Sequence, residues 1–259
     1  VRGADANVFL QGLLTQDMNV LDTQNVTYGA MLTPQGKIDF DFLIWKQDDG
    51  YILECEATRA DVLAERLSTF KLRRNVALNV QPIQVVTLWG NEDALKAFSY
   101  ERDPRHQQIG CRKIFQQPID KNELSAAIEV ESDFYYRLLL QYGIPNGSRD
   151  IAIGEDTAAD INLEKLNGVS YTKGCYMGQE LTSRMHHRGL SKKGLYPVAI
   201  TGTPLSPFTD IVSPEGNLIG EMRSSNGDMG LAMLRHDSLR AAARMGLVVP
   251  ELQDDEDAA

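Results

Sequence analysis

The sequence predicts an α+β chain, with mixed helix and strand over residues 1–190 and an antiparallel β region over 191–250. Three observations carry this. A chain of 259 residues is too long for one small core and suits two or three modules. Helix-period and strand-period segments alternate as far as Gly189–Lys193, where helical periodicity stops. Beyond that point come only short apolar segments, 195–200, 211–212, 218–224 and 230–234, separated by Pro-, Gly- and Asn-Gly-type turns, the pattern of a small antiparallel β-barrel.

Taken in order, residues 5–14 read as a helix with Asp5 as N-cap, Val8, Phe9 and Leu13 on its buried side and Gly12 open to close approach. Residues 26–32 and 38–45 read as a hairpin turned at Thr33-Pro34-Gln35-Gly36. Period two puts Asp39 and Asp41 on one face and Ile38, Phe40 and Phe42 on the other, so one face is core and the other is open or functional. Residues 51–57 read as a strand whose apolar setting makes Cys55 a core thiol. Thr58–Asp61 has the form of a capping box, opening a helix with a stripe of Val62, Leu63, Leu67 and Phe70. Pro82 interrupts 76–89 and implies an edge strand. Asn91 caps a short helix ending near Phe98, and the stretch around Cys111 takes no assignment. Residues 134–142 have helical period and end at Gly143 and Pro145. Residues 151–167, rich in Asp, Glu and Asn, read as a loop.

That loop leads into Lys173-Gly174-Cys175-Tyr176-Met177-Gly178-Gln179-Glu180. An amine, a thiol, a phenol, an amide and a carboxylate crowd into eight residues spaced by two glycines, a density unusual for a core. No breaker follows through His187, so a helix starts near Gly178 and Cys175 precedes its N-terminus. Unpaired N–H groups and the Lys173 ammonium would favour a thiolate there, a nucleophile or soft-metal ligand. His186 and His187 point about 100° apart on a helix and cannot chelate one ion together.

Composition excludes several classes. Apolar residues make up 42% and charged residues 24%, an ordinary globular balance. No apolar run approaches the ~20 residues of a membrane helix. No signal-peptide pattern opens the chain, and a first residue of valine, Val1, suggests that a native leader, start or tag is missing. A net charge of −10 argues against general nucleic-acid binding. Part of that charge sits in 251–259, an acidic, solvated tail. Lys71–Arg74 and Arg184–Lys193 are basic islands, either solvated helix ends or sites for an anionic ligand tail. The three cysteines, Cys55, Cys111 and Cys175, form no C-x-x-C pair, so neither a zinc site nor a disulfide framework is indicated, and a reducing compartment fits. All-thiolate cluster ligation takes four cysteines, so any cluster contact is transient or shared with a partner.

KGCYMGQE resembles the signature of the YgfZ family of folate-binding proteins, which includes the mitochondrial assembly factor for [4Fe-4S] proteins and is related to the T-protein (aminomethyltransferase) of the glycine cleavage system. Val1–Asp5, Phe9–Leu13, Leu32–Gly36, Lys71–Arg74 and Tyr142–Pro145 resemble further family segments in the family order. The resemblance implies three modules in a ring around a central cavity, closed by the C-terminal barrel. It implies tetrahydrofolate as ligand and assembly, insertion or repair of [4Fe-4S] clusters in client proteins, with carrier proteins as partners. Cys175 would be the reactive thiol, or the transient ligand of a [2Fe-2S] or [4Fe-4S] cluster held with a partner. Lys173 would keep it ionised, Tyr176 would shape the pocket, Gly174 and Gly178 would bend the loop, and Gln179 and Glu180 would orient loop or ligand. Folate-binding positions would be Asp41, Tyr135, Gln141 and Arg184. Phe40 and Asp41 fall on an adjacent aspartate pair of the aminomethyltransferases, and Gln141 falls on their pterin-pairing carboxylate. Those two departures disfavour the rival reading, a folate-dependent aminomethyl transferase. The implied compartment is the bacterial cytoplasm or, alternatively, the mitochondrial matrix.

Overall fold

A computed structural model describes residues 1–200, 202–245 and 247. The expected tail, 251–259, lies outside the described residues. The chain runs α1 (Ala6–Gln11), β1 (Val26–Leu32), β2 (Ile38–Gln47), β3 (Gly50–Glu54), α2 (Ala60–Lys71), β4 (Gln84–Leu88), α3 (Glu92–Leu95), β5 (Glu101–Arg102), β6 (Cys111–Phe115), α4 (Ser132–Gln141), α5 (Gln179–Arg188), β7 (Lys193–Ala199), β8 (Thr209–Val212), β9 (Leu218–Asn226), β10 (Met229–Arg235) and α6 (Leu239–Arg244). The strands form three antiparallel sheets, ordered β1-β2-β3, β4-β6-β5 and β7-β10-β9-β8.

The first sheet is covered on both faces, which is why every residue of β1 is buried. Val26, Tyr28, Ala30 and Leu32 join a cluster with α4, residues 151–166, β7 and β10. Met31, Phe40, Phe42 and Ile44 join a second cluster with Phe9, Leu10 and Leu13 of the first helical segment and Leu63 and Leu67 of α2. Ile38, expected beside Phe40 and Phe42, belongs to the first cluster instead. The cause is a register shift at Met31/Leu32, where Met31 opposes Phe40 but Leu32 opposes Ile38; a bulge of this kind reverses the alternation on one side of it. Asp39 and Asp41 therefore part company. Asp39 pairs with Arg66 of α2 at 3.0 Å, while Asp41 accepts from the Tyr28 hydroxyl at 2.9 Å on the opposite face.

Helix starts hold smaller corrections. Asp5 occupies the N-cap position of α1 but makes no side-chain cap; its carboxylate accepts the Asn75 N–H at 2.7 Å. Val8 and Val62 are 67% and 54% exposed, because α1 and α2 are each covered along a narrower stripe than expected. Thr58 forms no capping box, since its hydroxyl donates to Glu56. Asn91 does cap α3, accepting from the N–H groups of Asp93 and Ala94, and β4 is an edge strand. Between α5 and β7, Gly189 takes the left-handed conformation (φ 58°) that closes a helix.

Candidate functional site

Two places collect the chemistry. The first is the signature loop, laced to the residues after α1. Thr15 Oγ1 donates to the Gly168 carbonyl at 2.6 Å. The Ser170 N–H donates to Thr15 O at 2.9 Å and the Met177 N–H to Gly12 O at 3.2 Å. Lys173 is buried, and its Nζ donates to the carbonyls of Leu14 and Gln16, both at 2.8 Å. Burial lowers its pKa to about 8. The ammonium was expected to face the sulfur, but its hydrogen bonds go to these carbonyls and none goes to Cys175, because an ammonium drawn from water is best satisfied by oxygen acceptors. Lys173 thus holds the loop in place.

Gly178 (φ 80°) begins α5 against the β1–β2 turn. A Cβ there would stand 2.6 Å from Thr33 O and 2.7 Å from Leu32 Cβ. In return, a Cβ on Gly36 (φ 79°) would stand 2.7 Å from Leu181 Cβ and 3.0 Å from Gly178 O. The two turns meet backbone to backbone, and only glycine allows it. Gly174 is different, since a Cβ there meets nothing within 4 Å. Cys175 is exposed, on a loop with a fixed base. Tyr176 is buried in the first cluster, with no hydrogen-bond partner for its hydroxyl among the described residues. Gln179 is half-buried, and exposed Glu180 pairs with Arg184 one turn along.

The second place is a cavity of about 330 Å³ between the first sheet, β6, α4 and the loop at 145–149. Asp41 and Tyr135 both line it, as does Cys55, which is half-buried just past the end of β3 instead of packed within a strand. Burial pushes the Cys55 thiol up, and the Asp41 charge adds to this. Burial likewise raises the Asp41 carboxyl, against the Tyr28 hydrogen bond. Behind the wall, Asp103 accepts from Arg105 at 2.8 and 2.9 Å and from Arg112 at 2.9 Å, and Arg112 also reaches Glu54. Burial would raise the Asp103 carboxyl, but Arg105 and then Arg112 hold it well below the usual carboxylate range. Sequence reasoning passed over Arg105, Arg112 and Glu54. The signal available was Asp103-Pro104-Arg105, a turn placing opposite charges two residues apart.

Gln141 is exposed at the end of α4 and, with Arg184, does not line the cavity. Phe40 packs on the α2 side beneath the Arg59 guanidinium, 4.2 Å from the ring centroid, which leaves Asp41 on the cavity wall. The wall suits a flat, hydrogen-bonding heterocycle such as a pterin. Tyr135 offers a ring that tilts against Trp89 at 5.3 Å, and its buried hydroxyl and Arg112 Nε both lack partners among the described residues.

Residues 192–254 match the family described as the CAF17 C-terminal β-barrel domain. The chain is 30% identical to the mitochondrial iron-sulfur cluster assembly factor IBA57 of Homo sapiens over 271 residues, covering 93% of this chain and 75% of the human protein. It is also 30% identical over 244 residues to the IBA57 homologue of Dictyostelium discoideum, covering 78% and 60% of the two chains. The fold matches glycine cleavage system aminomethyltransferase T from Bartonella henselae with a TM-score of 0.73 at 16% identity, over 92% of this chain and 75% of that one.

Proposed function

The chain belongs to the IBA57 family of iron-sulfur cluster assembly factors, and from that premise we propose that Cys175 is the thiol through which it takes part in building [4Fe-4S] clusters. The observation that carries the proposal is the pairing of an exposed sulfur with a loop whose base is fixed by Lys173. In the step proposed, the thiol gives its proton to solvent, a carrier thiolate leaves one iron of a cluster, and the Cys175 sulfur binds in its place. Cys111 is buried and Cys55 faces the cavity, so the remaining ligands come from the partner. Carrier and client proteins are accordingly the partners. The relatives' mitochondrial names favour the matrix over the cytoplasm as compartment.

Tetrahydrofolate is the ligand we propose for the cavity. When bound it supplies a carrier for one-carbon units. Tyr135 would stack on its pterin, Asp41 would accept from ring N–H groups, and Arg149, which lines the cavity, would face the anionic tail. The rival reading, aminomethyl transfer, has the T-protein fold in its favour, and against it the replacement by Phe40 of one member of the adjacent aspartate pair that the resemblance implies.

Anaerobic reconstitution with an iron-sulfur carrier, with and without tetrahydrofolate, tests these readings. Wild type should form a shared cluster seen by visible absorption and circular dichroism, and Cys175→Ser should not. A shared cluster formed equally by Cys175→Ser overturns the thiol role. One-carbon turnover from an aminomethyl donor would move the assignment to the transferase.

A further inference from the structure

One side of the cavity is closed by a short segment that little holds in place. Pro145, Asn146, Gly147 and Arg149 line it there, and between buried Pro145 and buried Asp150 the residues 146–149 are all exposed or half-buried. None of the four has an apolar side chain, so lifting them forfeits little apolar burial. Gly147 takes the left-handed conformation (φ 56°) that lets the chain turn there. The segment is tied down by two carboxylates. Glu56 accepts from the Ser148 N–H at 3.1 Å and from its hydroxyl at 2.9 Å. Asp150 accepts from the Asn146 N–H at 2.8 Å and from the hydroxyl of Ser224 on β9, which in turn accepts from the Tyr136 hydroxyl of α4.

The two carboxylates stand in different surroundings. Glu56 is exposed, where water supports its charge. Asp150 has no exposed surface, and the charges packed near it face elsewhere. Arg223 on β9 pairs with Asp156 and Glu221 and touches Asp150 only at its backbone carbonyl. Lys193 on β7 turns to Asp156 and Asp160, and the Arg149 guanidinium lies 3.5 Å from the centroid of the Tyr136 ring. A carboxylate drawn from water without a cation at its oxygens is costly, so this geometry suits the protonated acid. Burial accordingly raises the Asp150 pKa from 3.8 to about 6, against the Ser224 and Asn146 hydrogen bonds and the Arg149 and Arg223 charges. The protonated acid loses no bond: one oxygen still accepts from Asn146, and the other donates its proton to Ser224.

We infer that residues 146–149 are a strap across the cavity mouth, latched by a proton on Asp150 and freed when that proton leaves. Lifting the strap removes the Asn146 N–H from the buried carboxyl and lets water take its place, which favours the ionised form. The latched state therefore binds the proton more tightly than the lifted one. The lifted population is smallest below 3.8, grows with pH and levels off above about 6. At neutral pH the mouth admits and releases its occupant, and acidification closes it. The strap acts on access alone, so it operates whichever ligand the cavity takes.

Cys55 reports on the mouth from inside, because it lines the cavity and is half-buried. The full chain carrying Cys175→Ser is labelled with dipyridyl disulfide from about pH 4 to about pH 8, with and without Asp150→Asn, which stays neutral throughout; the ratio of the two rates cancels the pH dependence of the thiol itself. The ratio should rise about tenfold or more between about pH 4 and about pH 6 and then level off. Ser224→Ala removes a donor that favours the ionised form, and should carry the rise to higher pH. A second measurement needs no variant at the latch. In wild type, exchange of the Asn146 amide proton, divided by that of the Ile144 amide bonded to Leu139 O, should follow the same curve. A flat labelling ratio, a flat exchange ratio, or labelling of buried Cys111 in step with Cys55, which marks opening of the whole fold, overturns the strap.

Discussion

The signature loop and the cavity are built on opposite plans. The loop keeps its sulfur in solvent and buries the cation that anchors it, with Lys173 bound to two backbone carbonyls and Cys175 exposed. The cavity buries its charges in and behind the wall, where Asp103 and Glu54 neutralise Arg105 and Arg112, and leaves groups such as the Tyr135 hydroxyl without partners among the described residues. Removing the loop's sulfur should thus cost function and little stability, whereas removing a charge from the cavity wall should cost stability first.

The largest effect that would sharpen the contrast is Asp103→Leu, which strands the buried Arg105 guanidinium and leaves Arg112 with Glu54 alone. Loss of one partner from a buried ion pair costs about 3–5 kcal/mol, so urea unfolding should show a loss of that order. Cys175→Ser should stay within about 0.5 kcal/mol of wild type, as exposed substitutions do. Equal losses would erase the distinction. Within the loop, Gly178→Ala should cost about 1–3 kcal/mol, from a left-handed φ together with a Cβ driven into Thr33 O. Gly174→Ala, with open space around it, should cost less than about 1 kcal/mol, and both losses are read from thermal or urea melts.

These expectations also show how much of the molecule was legible beforehand. The β1–β2 hairpin, the Asn91 cap and the β-rich C-terminal region follow from local rules of turn, cap and period, and the structure has them. The Lys173–sulfur pairing does not follow, because spacing two residues apart says nothing about acceptors arriving from residues 14 and 16. The cavity wall was illegible for the same reason. Arg112 finds Glu54 across 58 residues of chain, and the splitting of Asp39 from Asp41 turns on one bulge that no alternation pattern marks.

A smaller effect comes from pH. Asp150 is buried where it accepts the Asn146 N–H at 2.8 Å and the Ser224 hydroxyl, and burial raises its pKa from 3.8 to about 6. The folded state then holds its proton more tightly than the unfolded one. This group's stabilising contribution is complete below 3.8 and is lost as pH rises through about 6. Asp150→Asn should flatten that segment of the stability–pH curve, measured by urea midpoints across the window. An effect of similar size belongs to Lys173, whose pKa falls from 10.5 to about 8. Its depressed value means the unfolded chain holds the extra proton, so stability should rise with pH across that interval, and Lys173→Met should abolish the rise.

The meeting of Gly36 with Gly178 ties the tip of the first hairpin to the start of α5, 142 positions later, with no side chain between them to yield. Neither turn can gain a residue without lifting the other off its seat, so the length of a hairpin far away in the chain sets how the thiol-bearing loop is presented. Insertions tolerated at ordinary hairpin tips should here act as lesions of the loop.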